Sequence, residues 1–253
     1  MDRDLQLKLL IEELCPDTLI PSATKDKWLL FRSLVNRREA KPVSDRFMRT
    51  QNELLQSLIS DNGITDISDI QPIRDNLYLW RGDITTLRVD AIVNAANSGM
   101  LGCFVPCHAC IDNAIHTFAG VQLRMDCAAI MEKQGVPEPT GIAKITRAYN
   151  LPSRYILHTV GPIVDEQVTD EHRRLLANCY RSCLELAELN GLDSVAFCCI
   201  STGEFRFPSE EAAAIAIQTV TRYIAEKQSS MRVVFNVFKE LDYEIYKRLL
   251  GTS

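Results

Sequence analysis

The spacing of apolar residues divides the chain into two parts that predict different secondary structure. Before about residue 75, apolar residues recur at helical spacing in three segments, and the third of these ends at Asn62–Gly63. After that point, short β-rich runs alternate with helical stretches. We therefore predict a helical extension over residues 1–74 and a larger domain over residues 75–253.

The larger domain is predicted to be an α/β fold with three layers. Strand candidates such as SVAFCCI at 194–200 are apolar on both faces, as in a sheet that helices cover on both sides. In the helix candidate that begins at 111, apolar residues follow the spacing of one helical face. The predicted strands are 77–80, 90–96, 144–149, 154–160, 194–200 and 232–238, and the predicted helices are 111–133, 170–190, 209–227 and 239–250.

Composition narrows the class of protein without indicating an activity. The net charge of −5 argues against a broad basic surface for nucleic acid. No apolar run approaches the roughly 18–20 residues of a membrane helix, and the N-terminus does not have the order of a signal peptide. We therefore expect a cytoplasmic protein that binds neither nucleic acid nor membranes. Its nine cysteines are an odd number, which favours free thiols over a disulfide framework.

Three polar segments follow predicted strands and together indicate a nucleotide diphosphate site. Asp83 could accept a hydrogen bond from an exocyclic amine such as adenine N6. Asn94 and Asn97 end the next strand, and their amides suit sugar hydroxyls. The turn Ser201–Gly203 offers hydroxyl and N–H groups to a pyrophosphate, and Phe205 offers a flat wall to a ribose. Each segment alone also fits an ordinary turn, but no Walker lysine or GxGxxG motif points to another nucleotide site.

A cluster of soft metal ligands lies between the second and third strand candidates. Cys103, Cys107, His108 and Cys110 fall within eight positions, which predicts one zinc ion rather than a disulfide. His108 and Cys110 are two residues apart and point the same way in an extended loop, whereas Cys107 is expected to point elsewhere. Three ligands leave a fourth position open, as in a catalytic zinc site. The alternative is a set of free thiols beside an unrelated histidine.

Five motifs resemble the macrodomain family in order and spacing, over about residues 77–237. They are GDIT, DAIVNAANS, IDNAIH, TGIAKITRAYNLP with RYILHTVGP, and ISTGEFRFP. The resemblance is closest to the MacroD-type branch and implies an α/β/α domain with a mixed central sheet that binds ADP-ribose and hydrolyses mono-ADP-ribose from proteins. The C-x4-H-x-C spacing and the helical extension resemble the zinc-containing class, which is associated with sirtuin-type ADP-ribosyltransferases and a lipoyl-carrier-like substrate protein.

The resemblance also implies roles for individual residues. Asp83 would bind adenine, with the Ile84 amide beside it, Asn97 would face the distal ribose, and Asp112 matches an aspartate near the scissile bond. Asn97 and Asp112 are therefore the predicted catalytic residues, and Cys103, His108 and Cys110 the predicted zinc ligands. The predicted ligand-binding residues are Asp83, Ile84, Asn97, Cys110, Ile111, Asp112, Ser201, Thr202, Gly203, Glu204 and Phe205.

The expected reaction is cleavage of the bond between ribose C1″ and a protein carboxylate oxygen, with Asp112 orienting water or acting as base. Asp112 also fits a helix N-terminal carboxylate that the helix dipole favours. His116 is expected to pack behind Asp112, and His158 to lie in the core. Two alternative functions remain open: a module that binds ADP-ribose without cleaving it, and a hydrolase of small ADP-ribosyl esters.

Overall fold

The computed structural model describes residues 1–251, of which the first third is built mainly from three helices. These are α1 (Arg3–Leu14), α2 (Thr24–Arg37) and α3 (Asp45–Asn62). The Ser44 hydroxyl caps α3 by accepting a hydrogen bond from the Phe47 amide. The apolar faces of the three helices bury Leu10, Phe31 and Leu55 in a cluster of their own, which Val121 joins from a later helix. The three predicted N-terminal helices are therefore present.

The rest of the chain forms the predicted α/β layers around a mixed seven-stranded sheet. Five parallel strands, in the order β3-β9-β8-β5-β7, make its centre, and antiparallel β2 and β6 form its edges. The sheet strands are β2 (Pro72–Arg74), β3 (Leu77–Arg81), β5 (Ala91–Ala96), β6 (Ala143–Arg147), β7 (Tyr155–Val160), β8 (Ser194–Phe197) and β9 (Arg232–Val237), and β1 (Thr65–Asp66) pairs separately with β4 (Leu87–Arg88). The helices are α4 (Ile111–Ala119), α5 (Val121–Gln134), α6 (Asp170–Leu189), α7 (Ser209–Lys227) and α8 (Glu240–Gly251).

Alternation along the buried strands directs side chains to one helical layer or the other. Asn94 of β5 and His158 of β7 are register partners and face α4 and α5, where Asn94 contacts Asp112. The opposite face of β7 meets α6, where the Cys179 thiol donates to the Val160 carbonyl at 3.3 Å. Because both faces of the central strands are covered, their residues are apolar almost throughout.

The prediction of one helix over 111–133 is wrong in one respect, because this stretch forms two helices, α4 and α5, separated at Gly120. The side chains of Gln51 and Asn150 satisfy the backbone at the break: Gln51 accepts from the Val121 amide, and Asn150 donates to the Ala119 carbonyl. The apolar spacing continues across the break, so the spacing alone could not reveal it.

The boundary predicted at residue 75 falls next to β2, which lies in the predicted extension but pairs with the main sheet. Residues 252 and 253 of the predicted larger domain lie outside the described residues. Within residues 1–251, no helix has both the length and the apolar content that crossing a membrane would require.

Candidate functional site

The carboxyl ends of the parallel strands bring the predicted site residues to one edge of the sheet. The segment that contains Asp83 follows β3, the segment from Asn97 to Cys110 follows β5, and the segment from Ser201 to Phe205 follows β8. Helix α4 begins at Ile111, so its positive N-terminal end lies where the segment after β5 finishes.

Asp83 caps the N-terminus of a short 3-10 helix (Ile84–Thr86) that follows β3. One of its carboxylate oxygens accepts hydrogen bonds from the Thr85 amide (2.9 Å) and the Thr85 hydroxyl (2.7 Å). Asn236, from the neighbouring strand β9, donates to the Gly82 carbonyl at 3.0 Å and ties the turn to the sheet. Asp83 therefore stabilises a turn, which is the alternative role that the sequence analysis considered for this segment. A role toward adenine would use the second oxygen of the half-buried Asp83.

Asn94, Asn97 and Asp112 form one hydrogen-bonded group at the end of β5. Asn94 donates to Asp112 Oδ1 at 2.8 Å, and Asn97 donates to Asp112 Oδ2 at 3.3 Å and to the Gly102 carbonyl at 3.1 Å. Asn94 is fully buried, whereas Asn97 is half-buried and nearer the mouth of the site. Burial raises the pKa of Asp112 to about 6, against the opposing effect of the Asn94 hydrogen bond.

Two neutral histidines lie behind this group. His116 Nε2 is 3.6 Å from Asp112 Oδ1, but burial lowers the pKa of His116 well below its ordinary value, so the contact is not an ion pair. Among the described residues, neither ring nitrogen of His116 has a hydrogen-bond partner. His158 is fully buried and bonds to Thr146 and Asn94, as expected of a core residue.

The segment after β5 brings the three predicted zinc ligands together. The ligand atoms of Cys103, His108 and Cys110 all lie within 4.8 Å of one another, and Cys103 Sγ is 3.7 Å from His108 Nδ1. Cys110 also caps α4, with its sulfur accepting from the Asn113 amide. Cys107 points away from the group and donates its thiol hydrogen to the Leu29 carbonyl. Two thiols and an imidazole are a donor set that suits zinc.

The segment after β8 makes a tight turn. Ser201 has a positive φ of 65°, and the Phe207 amide donates back to its carbonyl. The Thr202 hydroxyl donates to the Cys199 carbonyl at 3.0 Å, while Gly203 and Glu204 are exposed and Phe205 is half-buried. Glu204 Oε1 lies 3.6 Å from His108 Nε2, so this segment meets the cysteine-rich one.

The sequence interpretation missed four residues that shape the site. Gly161, at the end of β7, lies so close to the Ser201 hydroxyl that a Cβ there would collide with it. Asn236 supports the Asp83 turn, and its polar side chain in the otherwise apolar run VVFNVF was a usable signal. Arg32 and Asn36, on α2, contact the cysteine-rich segment, and nothing in their local sequence indicates this.

Comparison with known proteins gives consistent matches. The Macro domain family matches residues 93–216. A protein-ADP-ribose hydrolase of Treponema medium is 57% identical over 92% of this chain and 90% of its own length. A solved Oceanobacillus iheyensis macrodomain with ADP is 42% identical over 72% of this chain and 93% of its own, with a TM-score of 0.64. A Trypanosoma brucei macrodomain in complex with ADP-ribose is 30% identical over 87% of this chain and 95% of its own, with a TM-score of 0.68.

Proposed function

The chain belongs to the macrodomain family, and we propose that it is a zinc-dependent hydrolase that removes mono-ADP-ribose from modified proteins. One observation carries the proposal: the Asn97–Asp112 pair lies beside a three-ligand Cys/His group at the carboxyl edge of the sheet. The name of the Treponema medium relative supports hydrolysis of a protein substrate, and its similarity extends over nearly the whole of this chain.

The proposed ligand is ADP-ribose, extended along the edge of the sheet. Its adenine would lie at Asp83 and Ile84, and its diphosphate against the turn from Ser201 to Phe205. The distal ribose would reach Asn97, near the N-terminus of α4, where the N–H groups of Ile111 and Asp112 favour a negative charge. The complex of the Trypanosoma brucei macrodomain with ADP-ribose supports this choice of ligand.

The proposed metal is one zinc ion held by Cys103, His108 and Cys110. The proximity of their ligand atoms and the chemistry of two thiols with an imidazole support it. When bound, zinc supplies a Lewis acid at the distal-ribose end of the ligand. Because Cys107 is turned toward Leu29, it would not be a fourth protein ligand, and the fourth position on zinc would be left to water or substrate.

Asp112 and Asn97 would carry out the protein's part of the hydrolysis. Hydrolysis adds water across the bond between C1″ and the substrate's carboxylate oxygen, which releases ADP-ribose and a free carboxylic acid. Asp112 would orient this water and accept its proton, and Asn94 fixes Asp112 by its hydrogen bond. Asn97 would hold a ribose hydroxyl, so that C1″ stays next to the carboxylate.

Two finer predictions concern the substrate, and two alternative functions are also considered. Ester-linked ADP-ribose on acidic residues and a lipoyl-carrier-like target, linked to a sirtuin-type transferase, remain predictions from the resemblance. A module that only binds ADP-ribose is the main alternative, and it would be favoured if Cys107 were a fourth ligand; its orientation toward Leu29 argues against this. A small ADP-ribosyl ester shares the same leaving half and would fit the same residues.

The proposal is tested by incubating the protein with an ester-linked mono-ADP-ribosylated protein, with and without a zinc chelator. We expect release of ADP-ribose that stops with the chelator and returns when zinc is added. Binding of ADP-ribose without release would favour the binding module, and release that the chelator does not affect would contradict the zinc dependence.

A further inference from the structure

Helix α2 of the N-terminal part presents one face to the cysteine-rich segment. Leu29, Arg32 and Asn36 are spaced three and four residues apart, so they form a stripe along the helix. All three contact the segment between Cys103 and Cys110, although more than 70 residues of chain separate them from it. These contacts bring the helical part into the environment of the proposed metal.

Two of these contacts hold the backbone on either side of the peptide bond between Cys107 and His108. Asn36 Oδ1 accepts from the Cys107 amide at 2.9 Å, and Arg32 Nη2 donates to the His108 carbonyl at 3.1 Å. Cys107 has a positive φ of 53°, which is unfavourable for a residue with a side chain and needs outside support. This conformation turns the Cys107 thiol toward Leu29 and leaves His108 directed at Cys103.

The same helix also holds the other end of the ligand segment, through Asn113. The guanidinium of Arg32 donates to Asn113 Oδ1 from two nitrogens, at 2.7 and 3.2 Å. Asn113 is fully buried, donates from its amide group to the Val105 carbonyl, and donates its backbone N–H to Cys110 Sγ. Arg32 therefore connects the backbone of one ligand to the hydrogen-bond partner of another.

Asn36 completes this network inside the protein. It is only 1% exposed, and its amide group donates to the Thr117 hydroxyl at 3.0 Å. That hydroxyl in turn donates to the Asn113 carbonyl at 2.7 Å. A network in which each buried polar group has a partner fixes one conformation of the segment, because any shift leaves a group unsatisfied.

We propose that Arg32 and Asn36 are positioning residues of the metal site, which helix α2 supplies to fix His108 relative to Cys103 and Cys110. This inference rests on the zinc site of the proposed function. Residues that orient metal ligands commonly change metal affinity by about 10–100-fold when they are replaced. The helical part then has a role in the reaction beyond covering an apolar surface.

The test measures zinc affinity of the full-length protein by competition with a chromophoric chelator. It uses Arg32→Lys, Asn36→Ala and the matched control Arg37→Lys, whose arginine is an exposed residue of the same helix. Lysine keeps the charge at position 32 but cannot reproduce the planar fork that spans Asn113 and the His108 carbonyl. Cobalt(II) replaces zinc in a parallel series, because its visible spectrum reports the geometry of the ligands. A thermal melt and ADP-ribose affinity confirm folding.

We expect Arg32→Lys and Asn36→Ala each to weaken zinc binding by about 10–100-fold and to shift the cobalt spectrum. Both should still bind ADP-ribose, and Arg37→Lys should match the parent protein in every measurement. Should Asn36→Ala not fold, Arg32→Lys decides the question. Unchanged zinc affinity and spectrum in folded Arg32→Lys would overturn the inference and leave the zinc site intact. A parent protein that binds no zinc would overturn both proposals.

Discussion

Replacing Gly102 by alanine tests how tightly the site is packed, because both the backbone conformation and a nearby side chain oppose a Cβ at this position. Its φ is +81°, and a Cβ built on it would lie 2.7 Å from Cγ of the buried His116 ring. Gly135, at the end of α5, has a similar φ of +73° but no atom within 4 Å of such a Cβ. Alanine at the two positions therefore separates the backbone cost from the packing cost.

The expected magnitudes follow from this geometry. Gly135→Ala should lower the free energy of unfolding by about 1–2 kcal/mol, the cost of left-handed backbone for a residue with a Cβ. Gly102→Ala should lower the free energy of unfolding by a further ~1–3 kcal/mol, because the His116 ring must move within a packed core. For a chain of this size, that difference corresponds to a melting temperature about 2–12 °C lower.

The assay is a thermal melt of both variants, together with their zinc content. Gly102→Ala should also retain less zinc, because Gly102 precedes Cys103 and its carbonyl accepts the Asn97 hydrogen bond. The double variant Gly102→Ala/His116→Ala should lose less stability than the two single changes added together, since it removes the clash. Equal melting temperatures for Gly102→Ala and Gly135→Ala would refute the packing around His116.

Three further predictions follow from the site and the helical part. Asp83→Ala should weaken ADP-ribose binding by about 1–3 kcal/mol, since it removes the proposed polar partner of the adenine, and an unchanged affinity in calorimetry would remove Asp83 from the site. Asp112→Asn should abolish release of ADP-ribose while binding persists, and turnover at the parent rate would exclude Asp112 as the base. A chain that begins at Asn76 loses the edge strand β2 together with the helices and exposes the surface around Val121, so it should melt lower and aggregate more; an unchanged melt and solubility would contradict the packing of the helices.

The features that sequence could predict are those whose evidence is local. Asn97 ends a strand and Asp112 begins a helix, so general rules of α/β sheets predict that both reach the same edge. The C-x4-H-x-C spacing similarly predicted which side chains approach one another, because Cys103 and Cys110, the two ends of the segment, are only seven residues apart. The α/β layers and the mixed sheet also follow from apolar runs and the motifs that resemble macrodomains.

The features that sequence could not predict depend on how distant elements pack. Arg32 reaches His108 only because α2 lies against α4, and α2 has no pattern that specifies its partner. The interruption at Gly120 likewise depends on side chains of α3 and of the turn before β7. Hydrogen bonds between residues far apart in the chain carry no periodic signal, so they emerge only from the folded structure.

The most direct test of zinc-dependent hydrolysis is the turnover of a mono-ADP-ribosylated protein by the His108→Ala variant. Metal content, a thermal melt and ADP-ribose affinity are measured on the same sample, with Cys107→Ala as the matched control. We predict a folded His108→Ala protein that contains no zinc, still binds ADP-ribose and releases none from the substrate, whereas Cys107→Ala keeps zinc and turnover. Full turnover by the folded, zinc-free His108→Ala protein would contradict the account and assign the hydrolysis to Asp112 and the ribose contacts alone.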